Sequence, residues 1–180
     1  TLTIIKDAVA NVKARTGVEL DPENFPIDDL NTYELFQKGN TVAIFQYESA
    51  GMQKHLKDLK PTEFGDLIAM NALYRPGPMN NIDNFISRKQ GHKKIEYPHP
   101  SLVPILEETY GIIVYQEQVM QIAHDIAGFS LSEADIMRRA MGKKDKKLMD
   151  ELSVKFVSGA QEKNITVSYT HLTLPTKEGG

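Results

Sequence analysis

The residues best suited to chemistry in this sequence are cationic and close together. Arg138-Arg139-Ala140-Met141-Gly142-Lys143-Lys144-Asp145-Lys146-Lys147 sets six basic side chains against one acid, a local balance of +5 in a chain whose net charge is −3. Neighbouring arginines on a helix point about 100° apart, so they can grip different phosphates of one ligand. Each such charge-assisted contact contributes roughly 1.5–3 kcal/mol. A helix end followed by Gly142 and lysines offers a flexible backbone and concentrated positive charge to an anion. The competing explanation is a solvated helix end whose cations complement the helix dipole.

Two further segments carry candidate groups. In Tyr74-Arg75-Pro76-Gly77-Pro78, two prolines around a glycine make a stiff turn that would hold Arg75 in place for a phosphate, or simply stop a helix. In Tyr115-Gln116-Glu117-Gln118, the ring can stack on a base or sugar and the amides can reach base edges. The same four residues could equally be a helix start with a core tyrosine.

Other chemistries are excluded by what the sequence lacks. With no Cys, disulfides, thiolate zinc sites and cysteine nucleophiles are out, and five scattered His make a zinc site on imidazole alone improbable. Phosphate-loop, dinucleotide, nucleophile-elbow and His-Glu-x-x-His patterns do not occur. Asp58, Asp66 and Asp83 have no spacing that suggests a two-metal cluster. No run of about 18 apolar residues exists to span a bilayer, and absence of Cys fits a reducing cytoplasm.

The elements that must position these groups are mostly helices. Leu2, Ile5, Val9 and Val12 predict an amphipathic helix stopped at Gly17, and Asp21 to Asp29 reads as an acidic connector. A short helix over Thr32–Lys38 precedes Thr41–Gln46, the one strand candidate. Ser49 and Thr62 are expected to cap the next two helices, with Met52, Leu56 and Leu59 inward on the first. Ile82, Phe85, Ile86 and Lys89 mark another helix, and Ser101 opens one through Leu106. Gly111–Tyr115 is apolar enough to be buried whole. A helix over Gln116–Ala127 ends at Gly128, and Ser132 with Asp135 looks like the capping box of the helix that carries the arginines. Leu148, Leu152, Phe156 and Ala160 predict the last helix. The fold class is mainly α with one short β element.

Three of these segments, in order, carry a resemblance. Ala72–Pro78, Tyr110–Met120 and Ala134–Lys144, supported by Phe45–Met52 and Asp83–Lys89, make residues 1–165 resemble the bacterial replicative DNA polymerase III alpha subunits, from the end of the palm into the fingers. The resemblance implies a nucleotidyltransferase that extends a primer on a template, with two magnesium ions held by palm aspartates upstream of Thr1. The chain would then be a piece of a longer protein, inactive alone. It further implies that Arg138 and Arg139 hold the triphosphate of the incoming deoxynucleotide (dNTP). Lys143 and Lys144 would be further cations, and Arg75 and Tyr115 would lie in motifs lining the same site. Implied partners are primer-template DNA and dNTP; sliding clamp, clamp loader and proofreading exonuclease would bind through regions not present here. A cytoplasmic enzyme without membrane contact is expected. Two alternatives stand beside this: an error-prone paralogue, against which Ile113-Val114-Tyr115-Gln116 speaks, and a non-catalytic helical module that binds nucleic acid through Arg138–Lys147. Residues 166–180 depart from the family pattern. Val167–Thr176 alternates like a strand and resembles appended, non-native sequence.

Overall fold

Polar side chains at the ends of connectors set where the helices begin. Asp29, Ser49 and Asp145 accept hydrogen bonds from the backbone N–H of Thr32 (2.8 Å), Met52 (3.3 Å) and Leu148 (3.2 Å). Each satisfies a donor that the first helical turn leaves without a partner. The computed structural model describes residues 2–165, and among them are nine α-helices joined by short 3₁₀ turns. They are α1 (Leu2–Thr16), α2 (Leu30–Gln37), α3 (Ala50–Leu59), α4 (Phe64–Leu73), α5 (Ile82–Lys89), α6 (Val103–Leu106), α7 (Gln116–Ala127), α8 (Leu131–Lys143) and α9 (Lys146–Glu162). The tail reading for 166–180 lies outside the described residues.

Helices α2 to α5 enclose one core. Tyr33 and Phe36 of α2 meet Met52, Leu56 and Leu59 of α3, Met70 and Leu73 of α4, and Ile82 and Phe85 of α5. A buried ion pair crosses its edge, with Lys89 Nζ 2.8 Å from Asp66 Oδ2. Helices α6 to α9 form the second region around α7. One face of α7, Ile122 and Ile126, packs with Leu102, Ile105, Leu106 and Ala160. Another, Val119, Ala123 and Ala127, packs with Phe129, Ala134 and Met137. Gly159 lets α9 come very close to the end of α7, since a Cβ there would fall 2.0 Å from the Ala127 carbonyl oxygen. Segment 110–115 joins the two regions, with Ile112 in the first core and Ile113 against both clusters of the second.

Several expectations are corrected. Among the described residues there is no strand, and 41–46 is a double turn. Ile44 N–H donates to Thr41 O (3.1 Å) and Tyr47 N–H to Ile44 O (2.9 Å), while the buried Thr41 hydroxyl donates to Tyr47 O (2.6 Å). Thr41, Ile44 and Tyr47 therefore turn inward at a spacing of three, leaving Val42 and Phe45 exposed, which is a turn period and not a strand period. Glu63, not Thr62, occupies the N-cap of α4, because the Asp66 carboxylate accepts from both backbone N–H groups, at 2.8 and 3.2 Å. Of residues 111–115 only Ile112 is fully buried. Helix α1 forms over the expected period and stops at Gly17, whose φ is 72°, yet none of its residues is buried.

Candidate functional site

Helix α8 starts two residues earlier than its sequence suggests, and that shift creates the site. Ser130 and Glu133 make the capping box: Ser130 Oγ accepts from Glu133 N–H (3.3 Å), and Glu133 Oε2 accepts from Ser130 N–H (2.9 Å). Phe129 just before the cap and Ala134 four residues after it are both fully buried in one cluster, a hydrophobic staple that fixes the entry of the chain. Lys155 of α9 pairs with the same Glu133 and stands 5.3 Å from the centre of the Phe129 ring. The Lys155 and Ser130 hydrogen bonds hold the Glu133 carboxyl well down, at about 2.

Asp135, freed from capping, turns to the arginines. Its Oδ1 accepts from Arg138 Nε (2.9 Å) and Nη2 (2.7 Å), and its Oδ2 lies 3.1 Å from Arg139 Nε. Two guanidiniums thus converge on one carboxylate, and hydrogen bonding from Arg138, first among the causes, keeps that carboxyl below its usual range. The remaining edge of Arg138 is held from another helix, as Nη1 donates to Gln116 Oε1 at 3.0 Å. Arg138 is 32% exposed and Arg139 57%, so both face solvent while their directions are set. Ala134, Met137 and Ala140 form the buried stripe beneath them.

The other expected residues divide. Lys143 ends α8 on the face of Arg139, four residues on, and Lys144 follows in a left-handed conformation with φ 55°. Both are exposed. Gly142 lies inside the last turn of α8 and not beyond its end, which corrects the flexible-glycine picture. Tyr115 is half-buried against the first core and is the sequence neighbour of Gln116, which holds Arg138. Burial, with the charge of Glu108 adding, pushes its phenol up to about 12. Gln118 is structural: its Oε1 accepts from Val114 and Tyr115 N–H, and its Nε2 donates to Ile105 O and Thr109 Oγ1. The Gln118 amide therefore has nothing left for a base edge.

Arg75 sits elsewhere. It lines an open cleft of about 580 Å³ with Phe45, Gln46, Tyr47, Asn71 and Tyr74. Among the described residues, no hydrogen bond or ion pair links that cleft to Arg138. The two residues that hold Arg138 differ in how far their sequence positions announce the contact. Asp135 had a usable signal, an acid three and four residues before two arginines. Gln116 is a candidate from its motif as an amide for a base edge, but nothing local announces its contact with Arg138, 22 residues away.

This arrangement can hold a polyanion. Two guanidiniums aimed together, with lysines one turn on, match an extended phosphate group better than a single carboxylate. A family model described as the bacterial DNA polymerase III alpha subunit finger domain matches residues 1–164. The DNA polymerase III subunit alpha of Caulobacter vibrioides is 53% identical over 165 residues, covering 92% of this chain and 14% of that protein. Those of Borreliella burgdorferi and Bacillus subtilis are 52% and 48% identical, over 91% and 92% of this chain. The chain spans about a seventh of the length of these relatives, 14% to 15%.

Proposed function

We propose a function from one premise: the chain belongs to the bacterial DNA polymerase III alpha subunit finger-domain family. Within a cytoplasmic replicative DNA polymerase, it supplies contacts to the incoming dNTP during template-directed synthesis. Arg138 and Arg139 hold the triphosphate, Lys143 and Lys144 add positive charge beside it, and Tyr115 lines the nucleotide site close to Arg138. Arg75 contributes from its separate cleft. The observation that carries this assignment is the convergence of both guanidiniums on a single anion, the Asp135 carboxylate, within hydrogen-bond distance.

Phosphoryl transfer needs preplaced positive charge more than it needs acids and bases, because negative charge builds on the oxygens of the transferring and leaving groups. Guanidiniums already fixed in direction deliver that stabilisation with little reorganisation at the moment of reaction. Magnesium enters no step derived from this chain. Among the described residues, no group of three or more His, Asp or Glu side chains could hold a metal ion. We assign the ions to aspartates outside this chain; primer-template DNA is the enzyme's other partner, and the other replicase subunits engage it through regions not present here. Among the described residues, no helix is long and apolar enough to cross a membrane.

The test is Arg138→Ala in the full-length enzyme. Loss of one charge-assisted phosphate contact should raise the dNTP KM or lower kcat by about tenfold or more, with primer-template affinity nearly intact. Unchanged nucleotide kinetics would overturn the assignment.

A further inference from the structure

We propose that Gln116 and Asp135 are positioning residues that aim the Arg138 guanidinium before nucleotide arrives, with Asp135 aiming Arg139 as well. The inference rests on the nucleotide-binding reading of the arginines and deepens it. Arg138 carries five N–H donors in one rigid plane. Three are spent inside the protein: Nε and Nη2 on Asp135 Oδ1, and Nη1 on Gln116 Oε1. Holding the plane by two edges from two helices fixes both its position and its tilt. One N–H on each Nη nitrogen is left, and these are the donors that a phosphate could take.

The chemistry of the two supports differs in a way that suits the task. Asp135 is ionised, yet shared between two arginines it leaves the trio with a net charge of +1. Gln116 orients Arg138 with a neutral oxygen, so it adds no charge that would repel a triphosphate. A long exposed arginine would otherwise lose conformational freedom each time a ligand was captured, and prior ordering removes that cost from binding. The gap between α7 and α8 that Gln116 bridges is itself fixed, since Val119 and Ala123 pack with Ala134 and Met137 below it. Gln118, two residues on, is fully committed to holding segment 105–115, so the two amides of one short motif have separate jobs.

The experiment is single-turnover incorporation of a correct dNTP by the full-length polymerase subunit. Gln116 is exposed, so Gln116→Met removes the acceptor without disturbing a core. It should lower kcat/KM for dNTP by about three- to tenfold and leave primer-template affinity within about twofold. Asp135→Ala should cost more than Asp135→Asn, which keeps one acceptor oxygen for Arg138. The decisive arm is the pair Gln116→Met with Arg138→Ala. If Gln116 acts only through Arg138, the double variant is no worse than Arg138→Ala alone. A wild-type Gln116→Met, or a loss that multiplies with that of Arg138→Ala, overturns the inference while the nucleotide assignment stands. If Arg138→Ala itself leaves nucleotide kinetics unchanged, the assignment fails and the inference falls with it.

Discussion

The α2–α5 region and the α6–α9 region hold their helices together by different means. In the first, Met52, Leu56, Leu59, Met70, Leu73, Ile82 and Phe85 are at most 1% exposed and share one core. The second divides its apolar residues into two smaller clusters on α7, and much of its order comes from polar devices at helix ends. Ser130 and Glu133 cap α8, Lys155 ties α9 to that cap, and Lys163 Nζ donates to the last carbonyls of α7, at 3.3 Å on His124 and 2.9 Å on Asp125. The difference separates support from chemistry. The arginine pair stands on the helix with a thin buried stripe, where outward side chains are free to be aimed by neighbours, and the thick core stands apart from it.

That contrast can be broken by substitution. Phe85→Ala in the first region should cost the most, about 3–5 kcal/mol, because a ring with 1% exposure leaves a cavity that surrounding helices cannot fill. Urea unfolding followed by circular dichroism measures it. A loss below about 1 kcal/mol would mean the first core is not the rigid support described. Gly159→Ala should cost less, about 1–3 kcal/mol, since its Cβ would meet the Ala127 carbonyl and push α9 off α7. A neutral or stabilising result would show that the two helices are not in close contact.

An acid titration sharpens the comparison further. Glu133 has its folded pKa lowered from 4.5 to about 2 by Lys155 and Ser130. A lowered carboxylate pKa contributes stability that is present above pH 4.5 and is lost as pH falls toward 2. Glu133→Gln should therefore flatten the acid limb of the stability profile over that window; an unaltered limb would contradict it. The smallest effect belongs to α1. Ile4 is 71% exposed, so Ile4→Lys should shift the unfolding midpoint by no more than about 0.5 kcal/mol equivalent. A large shift would reveal packing that the helix does not display.

Helix content was legible because caps and stops are local. Ser49 and Gly128 could be read directly, since each acts on backbone within one turn. Two local signals misled for opposite reasons. Thr41–Gln46 has strand-forming residue types, but without a partner strand the chain satisfies its own donors by turning, and the inward residues fall three apart. Ser130 and Ser132 both offer a capping-box spacing; the buried Phe129–Ala134 staple decides for Ser130, and burial of that kind is a property of the assembled core. The arginine pair was visible as charge. Asp135 had a pairing signal in its spacing to the arginines, but a carboxylate's choice between capping and pairing follows from where the helix starts, and the Gln116 contact follows from how α7 and α8 cross.

We assign Arg138 and Arg139 to nucleotide and not to DNA. The most direct test of that assignment is the dNTP concentration dependence of single-turnover incorporation by the full-length Arg138→Ala/Arg139→Ala variant, with primer-template affinity determined in parallel. The expected result is at least about a tenfold weaker response to dNTP with DNA affinity within about twofold. Weakened DNA affinity with an unchanged dNTP dependence would contradict it.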